Sequence, residues 1–379
     1  MNLLFVVYRE LNPGVGITKK IHAQCRALTE NGYKVDLHYY KRLDNGDFNS
    51  YINEREYENY GKGRLAIRLK TILNRKNILQ YIIDHKIEVV YIRYEFMADY
   101  AFLYFLRLLK QQKVSIVMEI PTYPYDDELK PKGFVSRLYN RIEKHCRKKM
   151  YKYVDRVLTY SDDEFIFKIP TIRVSNGIDF NKIPIKTSFP SSDNVNFIGV
   201  ANLGFWHGYD RLIRGIKNYL DKDNTMPIHF HLVGNGDVAY KKELIELVDE
   251  LALKDYVTFH GNMEGDELTM LFENTHLAIG SLGRHRSGIT NLKSLKNVEY
   301  AARGIPFIYS ENDANFDDKK YILKVSANES PINVDELISF YLSNKWDSND
   351  IRGSIEQRLS WKTQMEKVVQ SICEIGDSK

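Results

Sequence analysis

Leu277–Tyr309 reads LAIGSLGRHRSGITNLKSLKNVEYAARGIPFIY, and the order of residue types in it decides the fold. Leu277–Ile279 is a short apolar run. Gly280–Asn291 carries Gly280, Gly283 and Gly288, with Arg284, His285 and Arg286 among them. Leu295–Arg303 has the apolar spacing of a helix, and Gly304 supplies the positive φ on which helices often end. Ile305–Tyr309 is a second apolar run with the pattern of a buried strand. Strand, basic glycine-rich loop, helix, strand is the repeating unit of an α/β protein. A basic loop feeding a helix N-terminus suits an anion, because free N–H groups and the positive end of the helix dipole point there. Glu299 lies one turn into that helix, within reach of whatever the loop holds.

The same alternation runs outward in both directions. Leu3–Val7 is predicted as strand, Asn12–Gly16 as a tight loop and Ile17–Asn31 as helix, with Ile17, Ile21, Cys25 and Leu28 at helical spacing. Val35–Tyr40, Val89–Arg93, Val114–Ile120 and Arg156–Tyr160 read as further strands. Arg64–His85 and Ala98–Gln112 read as the helices between them. Residues 41–63 read as a long polar loop, and Ser161–Phe167 as a short helical piece. A Pro/Ser-rich stretch, 180–194, reads as a linker. A second series follows, with strands at Asn196–Ala201, Ile228–Val233 and Val257–Gly261, and helices at Arg211–Leu220 and Asp266–Glu273. Two α/β series separated by a polar stretch predict two Rossmann-like domains facing a cleft: 1–180, 195–355, and a last helical segment, 356–379, returning to the first. The first loop lacks Gly-x-Gly-x-x-Gly, which argues against a nicotinamide dinucleotide.

Glu299, Ala302, Gly304 and Pro306 fit Glu-x2-Ala-x-Gly-x-Pro. With Leu295-Lys296-x-x-Glu299-Tyr300 and His285-Arg286-x-Gly288, the stretch resembles the C-terminal-domain signature of retaining glycosyltransferases of the GT-B fold, family 4 type. Relatives carry a second Glu eight residues earlier; here that position is Asn291. Asn176-Gly177-Ile178-Asp179 resembles the family's inter-domain junction, and Leu359-Ser360-Trp361 the start of its final helix. The resemblance implies sugar transfer from a UDP- or GDP-linked donor to a glycan or lipid-linked glycan, as in bacterial surface-polysaccharide synthesis, with neither a metal nor a cofactor.

It also assigns positions. Glu299 would bind the ribose hydroxyls. In relatives the loop after the first strand of the second domain holds an Arg and a Lys that clamp the diphosphate; here those positions are Asn202 and His207, followed by Gly208. The phosphate charge then falls to Arg286, Lys296, His207 and backbone N–H groups. Gly234, Asn262, Met263, Gly288 and Asn291 belong to loops expected to line the same site. Gly14 and Gly16 form either a turn or a loop near phosphate or acceptor. Relatives place a His near Glu119; Glu119 or Asp126 is expected to face the sugar, or else to tie down the loop after its strand. Glu119, Arg286 and Lys296 are therefore the candidate catalytic residues. Two other readings stay open: a sugar-nucleotide 2-epimerase of this fold, and a non-catalytic binding homologue.

Composition narrows the setting. With 54 Lys and Arg against 50 Asp and Glu in 379 residues, the net charge of +4 gives no nucleic-acid footprint. Cys25, Cys146 and Cys373 lie far apart, without metal or redox spacing, which fits a reducing compartment. The start, MNLLFVVYRE, has five apolar residues and then charge, the pattern of a first strand. No apolar run approaches the roughly 18–20 residues of a membrane span. A cytoplasmic protein is expected. The basic stretch around Arg137–Lys152 has an apolar stripe and reads either as a solvated helix face or as a peripheral contact with anionic lipid. His229, His231 and His260 read as packed core histidines, and Asp221-Lys222-Asp223 as a solvated turn.

Overall fold

A computed structural model describes the chain except for residues 13–14, 127–132, 192, 224 and 378–379 and the side chains of 64–73 and 377. The chain forms two units, Met1–Ser175 with Trp361–Lys379, and Asn176–Ser360.

The first unit contains β1 (Asn2–Glu10), α1 (Gly16–Glu30), β2 (Lys34–Arg42), β3 (Phe48–Ile52), β4 (Arg55–Asn59), α2 (Arg64–Asp84) and β5 (Val89–Arg93). It continues through α3 (Tyr100–Gln111), β6 (Ser115–Ile120), α4 (Phe134–Arg147), β7 (Arg156–Thr159), β8 (Phe165–Ile166) and β9 (Ile169–Arg173). Its sheet has the order β4-β3-β2-β1-β5-β6-β7-β9-β8, parallel from β2 to β9 and antiparallel at the edges. β5 and β6 are buried along their whole length, as strands covered on both faces must be.

The second unit contains β10 (Val195–Val200), α5 (Tyr209–Leu220), β11 (Ile228–Val233), α6 (Val238–Glu250), β12 (Val257–Gly261), α7 (Gly265–Glu273) and β13 (Leu277–Ile279). It ends with α8 (Leu295–Arg303), β14 (Phe307–Tyr309), β15 (Ile322–Lys324), α9 (Val334–Leu342) and α10 (Ser348–Glu356). The last helix, α11 (Trp361–Asp377), belongs to the first unit, where Trp361, Met365, Val368 and Ile372 join the core around α1. The second sheet is parallel throughout, in the order β12-β11-β10-β13-β14-β15. Two parallel-sheet units of the doubly wound kind were the expectation, and both are present.

Three stretches differ from the sequence reading. Residues 41–63 are not a structureless loop but hold the hairpin β3–β4, whose turn residues Asn53 and Glu54 both have positive φ (49° and 67°). That is the backbone of a tight two-residue hairpin turn, which Asn favours and Glu does not. Residues 161–167 end in β8 rather than a helix, and its turn to β9 places Phe167 and Lys168 at positive φ, where neither type is common. The stretch 180–194 is anchored within the second unit: the Lys186 amine reaches the Phe272 carbonyl at 2.9 Å and the Glu273 carbonyl more closely, and the Thr187 hydroxyl donates to Glu273 Oε2 at 2.8 Å.

Glu119, at the end of β6, does not face solvent, and its carboxylate is taken up by neighbouring side chains. It is wholly buried. Tyr91 donates to its Oε2 at 2.7 Å, Gln24 to the same oxygen at 3.1 Å and Tyr160 to Oε1 at 3.1 Å, while the Arg93 guanidinium pairs with Oε1. The Lys20 amine stands 3.7 Å away. Burial alone would raise the Glu119 pKa, but Arg93 and Lys20 outweigh it and hold the carboxyl below its usual range. Asp126 is likewise engaged, taking both arms of Arg147 at 2.9 Å. Glu119 therefore joins β5, β6, β7 and α1 as a structural ion pair. Glu119→Ala leaves Arg93 buried without its main counter-charge and is expected to cost about 3–5 kcal/mol in urea unfolding. Glu119→Gln, which keeps an acceptor for Tyr91 and Tyr160, is expected to cost less.

Candidate functional site

In the second unit the chain leaves β10 in one direction, through β11 to β12, and then returns to place β13 on the other side of β10. Ligands of open parallel sheets bind at such a reversal, outside the carboxyl ends of the strands. The loops that follow β10 and β13 flank this point, and they touch backbone to backbone. Gly208 has φ +62°, and a Cβ there would lie 2.6 Å from the Gly283 nitrogen. The Leu282 N–H donates to the His207 carbonyl at 2.8 Å. Arg211, on α5, holds the same loop from below: Nη1 donates to the Leu282 carbonyl, Nε to Ser330 O at 2.8 Å and Nη2 to Ser326 O at 2.9 Å. The loop after β11 closes the third side, where a Cβ on Gly234 would meet the Ala201 carbonyl oxygen at 1.9 Å.

Several charged and polar groups converge there without mutual satisfaction. The stem of Lys296 is partly exposed, but its amine is shielded from solvent, has no hydrogen-bond acceptor and stands 5.7 Å from the Tyr209 ring centroid. Both Glu311 oxygens, the Tyr209 hydroxyl and the Ser281 hydroxyl are also buried without a partner. Arg284 lies in the field of Lys296, Glu311 and His207, with its guanidinium 5.8 Å from the Trp206 ring centroid. Burial and the neighbouring Arg284 push the Lys296 amine down to about 7, and burial pushes the Glu311 carboxyl up to about 7. Polar atoms in protein interiors are almost always paired. A group of buried, unpaired donors beneath a backbone clasp is an arrangement that an anionic ligand with several oxygens would complete.

The other sequence candidates fall into place around it. His207 is buried and uncharged: burial first, then Lys296 and Arg284, drive its pKa well below the usual range. Its Nδ1 accepts from the Gly204 N–H at 3.0 Å. It therefore brings no positive charge to a phosphate, contrary to expectation. Arg286 forks onto both oxygens of Asp210 at 2.8 Å, contacts Glu329 and donates to the Phe205 carbonyl at 3.0 Å, so its charge is already met. Glu299 accepts from Arg303 at 3.0 and 3.2 Å, one turn along α8. Asn202 is exposed, and Met263 packs against the core beside α8. Asn262 Oδ1 accepts from the Asn235 N–H at 3.0 Å. Gly288 ends the short turn Arg284–Ser287 at φ 71°. Asn291 accepts from Asn312 at 2.9 Å. Gly16 opens α1 in the first unit with free space around it, and Gly14 lies outside the described residues.

The start of α8 differs from the sequence reading too. The Ser294 N–H and the Asn297 amide both donate to Asp313 Oδ2 at 3.1 Å. An anion is thus already there, supplied by the chain. Asp313, Glu311 and Tyr209 were not among the sequence candidates. Carboxylates just past a buried parallel strand, as Glu311 and Asp313 are past β14, are the signal that would have singled those two out; Tyr209 carries no such signal.

Among the described residues no group of His, Cys, Asp and Glu is arranged for a metal ion. His231 Nδ1 and His260 Nε2 lie 3.0 Å apart, and His229 bonds Thr258 at 2.8 Å. Asp221 pairs with Lys217, and Lys222 with Asp335, on an exposed turn.

No family model matches the chain, and no curated protein matches it by sequence. Solved structures do resemble it. Sucrose-phosphate synthase from Thermosynechococcus elongatus superposes with a TM-score of 0.70 at 14% identity, over 100% of both chains. HepE of Anabaena in complex with UDP gives 0.65 at 15% identity, over 99% of this chain and 100% of that one. The lipopolysaccharide outer core galactosyltransferase WaaB gives 0.61 at 15% identity, over 99% of each. At these identities the likeness shows the fold: two parallel-sheet units of the GT-B class.

Proposed function

We propose that this chain is a retaining glycosyltransferase that moves a sugar from a nucleotide-sugar donor to a glycan or lipid-linked glycan of the bacterial surface. The observation that carries this reading is the unpaired Lys296 amine, beside Arg284, under the Gly208–Gly283 clasp at the carboxyl ends of β10 and β13. The HepE structure, which shares the fold, holds UDP, and WaaB is named for galactose transfer onto lipopolysaccharide. Both chemistries suit these residues. Retaining transfer passes through an oxocarbenium-like state while the diphosphate leaves with growing negative charge. Fixed cations placed there stabilise that charge more than they stabilise the ground state. Lys296 and Arg284 do this directly. Arg286 joins by exchanging the exposed Glu329 for phosphate while Asp210 keeps hold of its other edge. Glu299 swings from Arg303 to the ribose hydroxyls.

Isothermal titration with UDP tests the assignment. Lys296→Ala and Glu299→Ala each remove one charge-assisted hydrogen bond, worth roughly 1.5–3 kcal/mol, so each is expected to weaken binding by about one to two decades. Unchanged affinity in both folded variants rejects the site.

Proton linkage gives a second test. Lys296 has a folded pKa lowered to about 7, so the unfolded chain binds the extra proton above that pH, and its contribution to stability rises from pH 7 towards 10. Glu311 is raised to about 7, so its contribution is present in acid and is lost as pH rises through 7. UDP needs Lys296 charged and Glu311 neutral. Affinity is therefore expected to fall as pH rises above 7, by up to about tenfold per unit for each proton. Over the same range, the free protein grows more stable as the Lys296 amine loses its proton. Lys296→Arg, which stays charged, should halve the slope of the affinity profile above pH 7, leaving the part due to Glu311.

Peripheral membrane binding fits the first unit. On α4, Phe134 is 81% exposed, Val135 73% and Leu138 50%, and on α3 Tyr100 is 61% exposed. Lys149 approaches the Tyr100 ring centroid to 6.0 Å, which joins the two surfaces. Arg137, Arg141, Lys148 and Lys152 are exposed around them, whereas Arg147 is buried against Asp126 and Glu143. No helix among the described residues is long and apolar enough to cross a membrane. Vesicles with anionic lipid are expected to sediment the protein more weakly as salt rises. At about 1 kcal/mol per basic residue, Arg137→Gln with Arg141→Gln should reduce partitioning by roughly thirtyfold.

A further inference from the structure

Arg286 is held between two carboxylates that are not alike. Nη1 and Nη2 fork onto Asp210 at 2.8 Å each, and Nη1 also donates to the Phe205 carbonyl at 3.0 Å. The other edge of the guanidinium, Nε with Nη2, takes both oxygens of Glu329. His285 Nε2 lies 2.6 Å from Glu329 Oε1, so two side chains of one short turn close on a single carboxylate. Asp210 stands in the first turn of α5, is 24% exposed and also accepts from the Tyr240 hydroxyl at 3.1 Å. Glu329 is 63% exposed, and among the described residues its carboxylate is bonded to His285 and Arg286 alone.

The contact is built into the second unit. Arg211 lies buried against both loops and fixes one to the other. Its Nη1 holds the Leu282 carbonyl on the loop that carries His285 and Arg286, while Nε and Nη2 hold the Ser330 and Ser326 carbonyls on either side of Glu329. Asn328 Oδ1 accepts from the Ser330 N–H at 3.0 Å and from Arg211 Nη2 at 3.2 Å, which closes the turn on itself. The backbone at 329 is pinned from both sides, and the side chain leaves Arg286 by rotating into solvent, with no loop opening. Asp210 would have to give up Tyr240 as well. The Arg286 hydrogen bonds hold the Glu329 carboxyl down to about 2, so it stays ionised throughout the neutral range.

Position says what replaces it. Lys296 lies under the Gly208–Gly283 clasp, and Arg286 passes beside it, with Cδ 3.2 Å from where a Cβ on Gly283 would stand. A phosphate offers the Nε–Nη2 edge the same pair of oxygens that a carboxylate does. A ligand with one phosphate satisfies Lys296 and leaves Glu329 in place. A second phosphate reaches the edge that Glu329 fills. We propose that Glu329 is a specificity-determining residue that stands in for one phosphate of a nucleoside diphosphate on Arg286, so that only a ligand with a second phosphate displaces it. The phosphate at Lys296 rests on the glycosyltransferase reading; the occupation of Arg286 by Glu329 does not. The consequence runs opposite to that of an ordinary binding residue, because removing Glu329 strengthens binding.

Titration calorimetry of the full chain with UDP and with UMP tests it. Glu329→Gln is expected to bind UDP roughly three- to fivefold more tightly than the parent, the upper range for an exposed ion pair, and to bind UMP with a change of less than about 1.5-fold. Glu329→Asp keeps the charge but draws the carboxylate back by roughly 1.5 Å, out of hydrogen-bond reach, and is expected to show most of the same gain for UDP. Glu329 is exposed, so both variants are expected to fold. A parent-like Glu329→Asp assigns the effect to net charge and overturns the stand-in. An equal gain for UMP, or weaker UDP binding by Glu329→Gln, overturns it too. UDP bound equally by the parent and both variants overturns the stand-in and leaves the glycosyltransferase reading standing; UDP bound by none of the three overturns both.

Discussion

The second unit depends on a contact in which no side chain takes part. The loops after β10 and β13 meet at Gly208 and Gly283, closer than any Cβ would permit. Because the strands are parallel neighbours, their carboxyl ends and following loops are already adjacent. The glycines turn adjacency into contact. Everything polar nearby is arranged around that clasp: His207 lends it a carbonyl, Arg211 ties it to the loop at 326–330, and Lys296 sits under it with its amine shielded. The shielding shifts the Lys296 and Glu311 ionisations towards one another. Backbone geometry thus sets the electrostatics of the site.

Two buried ionic groups in the same chain show how pairing separates scaffold from site. Around Glu119 both carboxylate oxygens have donors and the carboxyl stays ionised. A buried pair of that quality rigidifies its surroundings. Around Lys296 and Glu311 the partners are missing, and both groups are pushed towards neutrality. Such an arrangement costs stability unless something binds to it, which is why unsatisfied groups gather at functional positions.

Elements whose pattern is local were legible in the sequence. Val89–Arg93, Ile228–Val233, Val257–Gly261, Leu277–Ile279 and Leu295–Arg303 have the bounds that periodicity predicts. The hairpins were not, because Glu54, Phe167 and Lys168 adopt turn conformations that their residue types disfavour, and only pairing in the sheet enforces them. The site divides along the same line. The glycine-rich loop and the Lys296–Glu299 spacing were visible as a motif. That Glu119 would be sealed, His207 discharged and the start of α8 taken by Asp313 depends on partners 95, 89 and 19 residues away: Gln24 for Glu119, Lys296 for His207, and Asp313 for Ser294. Charge state is a tertiary property, and a residue type in a motif does not fix it.

The charge states of the cations around His207 have a physical reading of their own. An Arg cannot shed its proton, so a partly buried one needs a counter-charge at all times, and Arg286 has a lasting one in Asp210. A Lys can shed its proton, so Lys296 can remain shielded without a partner until an anion arrives. Placing the responsive cation on α8 and the permanent one on the loop divides two tasks. Arg286, forked on Asp210, keeps the loop in shape, and the exposed Glu329 on its other side is the partner that a phosphate could replace at least cost. A charged residue at 207 would sit beside Lys296 and Arg284 and drive Lys296 further towards neutrality. A neutral histidine there, with one nitrogen committed to Gly204, adds no such repulsion to the Lys296 amine.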